Sequence, residues 1–474
     1  MSSDPLPAPP APIAPPATLA EPLPRSLPEV HGSIPVNRRG GWLRRFFAFA
    51  GPAYLVSVGY MDPGNWATDL AGGSRYGYAL IWVILLSNLM AIFLQTLCAR
   101  FGLVAGRDLA QACREQYRRP VAYVLWALCE VAIVACDLAE VIGSAVALNL
   151  HFGLPLVAGV LLTGFDVMLL LAAMHFGFRK IEAIVLTLVT TVAACFALQV
   201  FLSDPDWSAA LVGTLVPTLP DRQAFYIALG ILGATVMPHN LYLHTALVQT
   251  RDVEPTAAGR RLAIRYNTLD TVLALAAAFF VNAAILVVAA AVFHRAGYAG
   301  VSELQEAHRL LAPLLGAPVA ATAFALALLA SGQSSTITGT LAGQIVMEGF
   351  LRIRIRPWLR RLITRLLAIV PAVILISASG GRDTVGLLVF SQVVLSMQLS
   401  FAVFPLIFFT SDRRLMGEFV NPPWVRVTGY GVATLIAALN AWLLLDAIGP
   451  LWMSLVVAVA AGFAIWVRWF YRGE

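Results

Sequence analysis

Met61-Asp62-Pro63-Gly64-Asn65 interrupts an apolar run that otherwise reads as one membrane helix from Leu43 to Ala71. Proline lacks an amide donor and glycine beside it loosens the backbone, so the helix has to open here. Opening frees carbonyl groups at hydrocarbon depth, where lipid satisfies none of them; such backbone persists only against protein or a cavity. Asp62 adds a carboxylate at the same place, which is costly in a membrane and marks an ion site. A second interruption answers the first. The apolar segment 223–249 is broken in its middle by Gly233-Ala234-Thr235-Val236-Met237-Pro238-His239-Asn240. Two broken spans, the first and the sixth, are the pattern of an inverted-repeat transporter with its substrate between the repeats.

Composition agrees with an all-α polytopic membrane protein. Of the 474 residues 59% are hydrophobic and 12% charged, against roughly 25% charged in soluble domains. The net charge of +6 is spread over short clusters between apolar runs, which fits membrane orientation and excludes a nucleic-acid-binding patch. The five cysteines, at 98, 113, 129, 136 and 195, show no CxxC spacing and no alternation with histidine. They read as apolar filling, with neither a disulfide frame nor a zinc site.

Residues 1–35, rich in Pro and Ala, have no periodic apolar face and read as a disordered cytoplasmic tail with no signal peptide; 36–474 form the transmembrane domain. Apolar stretches near ~20 residues predict twelve spans: 43–71, 79–101, 120–151, 154–176, 180–202, 223–249, 267–294, 319–350, 360–379, 384–410, 425–446 and 449–470. Only Asp446 to Gly449 separates the last two, which leaves eleven as the alternative count. Arg100 to Arg119, Arg179 with Lys180, Arg251 to Arg265, Arg352 to Arg361 and Arg413 with Arg414 all fall in even loops, which predicts both termini cytoplasmic. The longest outer loop, 295–318, has the makings of a short surface helix. Spans one to five (43–202) and six to ten (223–410) would be the two repeats, with 425–470 peripheral.

The two breaks bring together a particular set of donors. Asp62 supplies a charge, Asn65 a neutral oxygen, and the unwound turn a free carbonyl at Gly59 or Tyr60; the second break exposes the Ala234 carbonyl and the Met237 thioether. Oxygen alone suits Mg, Ca or Na, and a sulfur shifts the preference toward Mn, Fe, Co or Cd. The alternative for Met237 is space filling. Asp137 and Glu140, three apart in the third span, share a helix face; two acids there imply a proton relay, an ion pair with an Arg of a neighbouring span, or both. His239 and His244 follow the second break, and imidazole coordination is a rival to a proton-linked role for His239. His244 reads equally as a hydrogen-bonded packing residue. Gly332-Gln333-Ser334-Ser335 has neither the lysine nor the strand of a phosphate loop, and no base accompanies the hydroxyls, so nothing here reads as an enzyme.

The stretch 233–251, GATVMPHNLYLHTALVQTR, together with DPGN at 62–65 and GQSSTITGTLAGQIVMEGF at 332–350, resembles the Nramp family of proton-coupled divalent metal transporters, its bacterial manganese branch in particular. The likeness runs from about Arg38 to Tyr471. It implies a LeuT-like fold, with Asp62, Asn65, Met237 and the Ala234 carbonyl as metal ligands, Gly59 beside them, and Gln392 completing the shell. It implies that protons pass from Asp62 to Asp137 and Glu140, with His239 linked to them, past basic residues matching Arg360 and Arg361. Ser400 stands where many members have proline. The function so implied is import of Mn(II), and also Fe(II), Cd(II) or Co(II), with protons, across a bacterial plasma membrane. No resident cofactor and no obligate protein partner is expected; metal and H+ are cargo. A sodium-coupled amino-acid symporter of the same architecture is disfavoured because Asp62 occupies the place of the substrate carboxylate. A channel or sensor would use the same donors without cycling.

Overall fold

The computed structural model describes residues 26–28, 30–36, 41–165, 178–298, 301, 303–351, 357–379 and 384–470. The first expected span is divided twice, into α1 (Trp42–Phe49), α2 (Pro52–Gly59) and α3 (Pro63–Tyr76). The second divide is the one at Asp62. The first, at Ala50-Gly51, lay unread inside the apolar run. Then come α4 (Ile81–Ala105), α5 (Leu109–Gln116), α6 (Arg119–Phe152), α7 (Leu156–Thr163) and α8 (Phe178–Ser203). The fourth expected span, 154–176, lies partly outside the described residues.

The second half opens with α9 (Trp207–Leu215), a short helix that no apolar period announced, and continues with the broken pair α10 (Arg222–Thr235) and α11 (Pro238–Leu247). It proceeds through α12 (Ala257–Ala289), prolonged by a π turn to His294, α13 (Leu304–Leu315), α14 (Pro318–Leu351), α15 (Pro357–Ser379) and α16 (Thr384–Thr410). The outer-loop helix expected in 295–318 is α13, which buries Leu304, Ala307 and Leu311. After the short α17 (Arg413–Met416) comes α18 (Pro423–Phe470).

Helix α18 corrects one expectation. Spans 425–446 and 449–470 are not separated at Asp446–Gly449; one 48-residue helix runs through Gly449 and Pro450. A proline costs a helix one hydrogen bond and a kink, and a membrane helix tolerates that. Pro371 in α15 and Pro405 in α16 are carried inside helices in the same way.

Burial places the broken helices at the centre. The most apolar window of Arg222–Thr250 is 83% buried, against 22% for Phe178–Ser203 and 28% for Pro423–Asp446. The last two are therefore peripheral. Helix α14 packs on α6 and α8, α12 on α4 and α3, and α16 on α10 and α6, so the two breaks are enclosed on all sides by α6, α12, α14 and α16.

The amino-terminal segment also departs from expectation. Within the stretch read as an unstructured tail, Leu27 and Ile34 are each only 5% exposed. Ile34 and Pro35 pair in parallel with Arg251 and Asp252, the sole sheet among the described residues. The Gly32 amide donates to the Gln249 carbonyl at 3.0 Å. Residues 1–25 lie outside the described residues.

Candidate functional site

At the first break, Asp62 caps α3. Its Oδ1 accepts the Asn65 amide at 2.8 Å, and Pro63 at the first helical position has no N–H to leave unpaired. The carbonyls freed by the opening all find side-chain donors. Gly59 O accepts from Asn65 Nδ2 at 3.2 Å, and Tyr60 O from Asn282 Nδ2 of α12 at 2.7 Å. Met61 O accepts from the Ser331 hydroxyl of α14 at 2.5 Å and from the Trp66 indole at 3.2 Å. These donors are what allow unwound backbone to exist inside a membrane protein. Asn282 and Ser331 were not foreseen; Asn282 gave the signal of a polar residue standing alone in an apolar helix, while Ser331 heads the polar run that continues to Thr336.

At the second break, α10 ends at Thr235 and α11 begins at Pro238, with Met237 as its cap residue. The Ala234 carbonyl accepts from Asn65 Nδ2 at 3.1 Å. Asn65 Nδ2 also donates to Asp62 Oδ1 at 2.7 Å. One positively polarised nitrogen thus sits among three oxygens, from Gly59, Asp62 and Ala234, that join the two broken helices. A half-turn of the amide exchanges its nitrogen for its oxygen and leaves four oxygens facing one point.

Gln392 of α16 completes the wall. It is fully buried, with its amide against the turn at Gly64, where any Cβ would overlap it. Its Oε1 and Asp62 Oδ2 have no hydrogen-bond donor, which leaves both oxygens able to accept a cation. Met237 is fully buried beside Ala132, Cys136 and Leu395. Asp62, Asn65, Ala234, Met237 and Gln392 all have 0–1% exposure, so the site is closed to both sides of the molecule. Among the described residues no three His, Cys, Asp or Glu side chains form a ready-made metal cage. A cation held here relies on one carboxylate plus carbonyl, amide and thioether donors.

The acid pair lies behind this centre. Asp137 and Glu140 are buried on α6 and both face Gly339 of α14. Glu140 Oε2 lies 3.6 Å from Arg365 Nη1, and Arg365 Nη2 donates to the Thr336 hydroxyl at 3.2 Å. Among the described residues, the cation paired with Glu140 is therefore Arg365. Arg360 and Arg361, expected along the proton route beyond the acids, lie near the start of α15, and their side chains lie outside the described residues. The ion pair with an Arg of a neighbouring span is present at Glu140, and a relay is compatible with it.

His239 Nε2 lies 3.7 Å from Cys136 Sγ, and its Nδ1 has no hydrogen-bond partner. His244 Nδ1 sits 2.9 Å from Gln95 Oε1, and Gln95 Nε2 donates to the Tyr60 hydroxyl at 2.9 Å. That chain ties α11 through α4 to the first break and gives His244 a positioning task. Asp69, seven residues beyond Asp62 on the same face of α3, is a further buried carboxylate the sequence reading did not single out.

The chain as a whole is similar to known proteins. The family described as Nramp, natural resistance-associated macrophage protein-like, matches residues 53–446. The divalent metal cation transporter MntH of Nostoc is 58% identical over 425 residues, covering 89% of this chain and 96% of its own. That of Agrobacterium fabrum is 56% identical over 428 residues, 90% of this chain and 92% of its own. The manganese transporter of Eremococcus coleocola, in complex with an aromatic bis-isothiourea compound, superposes with a TM-score of 0.82 at 36% identity, over 93% of this chain and 96% of that one. Mhp1, in an inward-facing conformation, shares the fold alone: TM-score 0.54 at 15% identity, over 83% and 91%. The LeuT-like architecture that the family resemblance implied is thereby shown.

Proposed function

Because the chain belongs to the Nramp family, whose members above are membrane transporters of divalent metal cations, we propose that it imports Mn(II) together with protons by alternating access. The observation that carries this reading is the oxygen nest of Gly59, Asp62 and Ala234 around the Asn65 amide, shared by two broken helices and sealed from solvent. A sealed site has to open in turn to each side to load and release. Asp62, Asn65, Ala234 and Met237 hold the ion, with Gly59 and Gln392 closing the shell. Fe(II), Co(II) and Cd(II) share its preference for mixed oxygen and sulfur donors. Metal arrival at Asp62 favours the loss of its proton. The proton then passes to Asp137 and Glu140 beside Arg365, with His239 and His244 lining the route from α11. Two repeats, 43–202 and 223–410, rock against each other, and 425–470 stays peripheral. The basic even loops support a plasma-membrane orientation with the amino terminus cytoplasmic. No resident cofactor or protein partner is needed.

The test is Mn(II) uptake into proteoliposomes with internal pH recorded. Uptake that an inward proton gradient accelerates, accompanied by internal acidification, supports the reading; the absence of Mn(II) uptake refutes it. Selectivity gives a second expectation. Met237→Ala removes the one soft donor, so Ca(II) and Mg(II) enter in competition, while Mn(II) uptake falls by no more than about tenfold, the worth of roughly 1.4 kcal/mol. Unchanged exclusion of Ca(II) by this variant would remove the sulfur from the selectivity argument.

A further inference from the structure

Sequence reading left Cys136 as apolar filling, and the structure puts it in different company. On α6 it sits one turn before Glu140, whose Oε1 is 3.8 Å from its Sγ. Across the gap, His239 Nε2 approaches the same sulfur to 3.7 Å. Met237, one residue short of α11, shares an enclosed cluster with Cys136, Ala132 and Leu395. A thiol, a thioether and an imidazole from two helices therefore converge behind the oxygen nest.

Their spacing suits a soft ion. Zinc-length bonds of about 2.3 Å to sulfur and about 2.0–2.1 Å to nitrogen at a tetrahedral angle place the two donors about 3.6 Å apart; the 3.7 Å between Cys136 Sγ and His239 Nε2 is slightly wider, in the direction a larger soft ion needs. His239 is 2% exposed, and its Nδ1 has no hydrogen-bond partner. No acceptor thus commits the ring to one tautomer, and its Nε2 lone pair is free to face the sulfur. Mn(II), a harder ion, gains little from a thiolate, whereas Cd(II) and Hg(II) gain much.

We infer that Cys136 and His239, with Met237 beside them, form a thiophilic-ion site adjoining the manganese site, which holds Cd(II) or Hg(II) and slows their release. Binding breaks the S–H bond and forms a sulfur–metal bond; His239 Nε2 is taken up by the metal, so the proton passes to Glu140 Oε1, 3.8 Å from the sulfur. The inference rests on the reading of the Met237 break as the metal path, and it deepens that reading by separating ions that dwell from ions that pass.

The experiment compares wild type with Cys136→Ser and Cys136→Ala. In purified protein, Cd(II) is titrated while the ultraviolet cadmium–thiolate charge-transfer band is followed. In proteoliposomes, Cd(II) inhibition of Mn(II) uptake is measured. Wild type is expected to show the band, and both variants to lack most of it. Cd(II) potency should fall at least about tenfold while the KM for Mn(II) stays within about twofold. An undiminished band and unchanged Cd(II) potency in both variants would overturn the inference. Loss of Mn(II) potency equal to the loss for Cd(II) would overturn it too, because Cys136 would then serve all ions alike. Should wild type fail to transport Mn(II) at all, the proposed function falls, yet the absorption band still decides whether Cys136 binds a soft metal.

Discussion

Asp62→Ala is expected to abolish Mn(II) uptake and the accompanying acidification together. The carboxylate is the only formal charge in the nest: Gly59 and Ala234 contribute neutral carbonyls, and Asn65 and Gln392 neutral amides. A divalent ion without it is a buried charge lacking its counter-charge, a loss of roughly 3–5 kcal/mol in buried ion pairs. That amounts to at least about a hundredfold in affinity. The variant also loses the cap on α3, since Asp62 Oδ1 accepts the Asn65 amide, so Asp62→Asn serves as control. It keeps an oxygen for the cap and removes only the charge. If Asp62→Asn is as inactive as Asp62→Ala while a neutral solute stays excluded from the vesicles, charge is the cause. Persistent Mn(II) uptake in both would move the ligands elsewhere. Acidification that survives without metal uptake would separate the proton path from Asp62 and leave Asp137 and Glu140 to carry it.

How far the fold was legible follows from which rules are local. Pro63-Gly64 and Pro238 announce themselves because each lost donor stands beside a glycine or polar residues that favour opening, whereas Pro371 and Pro405, set in apolar runs, are carried inside their helices. The donors gathered at those breaks could be named for the same reason. Asn282, Ser331 and Arg365 could not, since their roles depend on which faces of α12, α14 and α15 meet the breaks, and one sequence holds no record of that. Cys136 does fill an apolar cluster, as its residue type suggests; only the approach of α11 makes it also a neighbour of Met237 and His239. At Asp446–Gly449 local reasoning overreached, treating a short stretch with one acid and one glycine as a break where α18 continues. At Gly51-Pro52 it fell short. That dipeptide is a turn signal, but it was absorbed into the apolar run.

Gly51→Ala is the second change expected to have a large effect, and it acts far from the metal donors. Gly51 links α1 to α2 with φ +135° and ψ −49°, a conformation a side chain adopts only under strain of roughly 1–3 kcal/mol. A Cβ there would also overlap the Arg251 guanidinium and the Glu182 carboxylate. These two form a buried ion pair at 2.9 Å. Arg251 donates to the Phe49 and Ala50 carbonyls at 3.2 and 2.6 Å. Arg179 donates to those of Phe47, Ala48 and Ala50 at 3.2, 2.8 and 3.0 Å, so the orphan carbonyls ending α1 are all met by cations. From the other side, Asp270 Oδ2 accepts the Gly51 and Ala53 amides at 3.2 and 3.1 Å. The cluster thus clamps the half of the broken helix on the amino-terminal side of the metal site against α8 and α12. Wedging it apart disfavours the sealed state and leaves the oxygen nest intact. Mn(II) binding in detergent should therefore change little, uptake should fall by more than about tenfold, and the amides of α2 should exchange hydrogen faster. Arg251→Ala should reproduce all three effects, and the double variant should add little to either, because both remove one and the same clamp. Wild-type uptake with wild-type exchange in Gly51→Ala would show that closure on that side does not depend on this cluster.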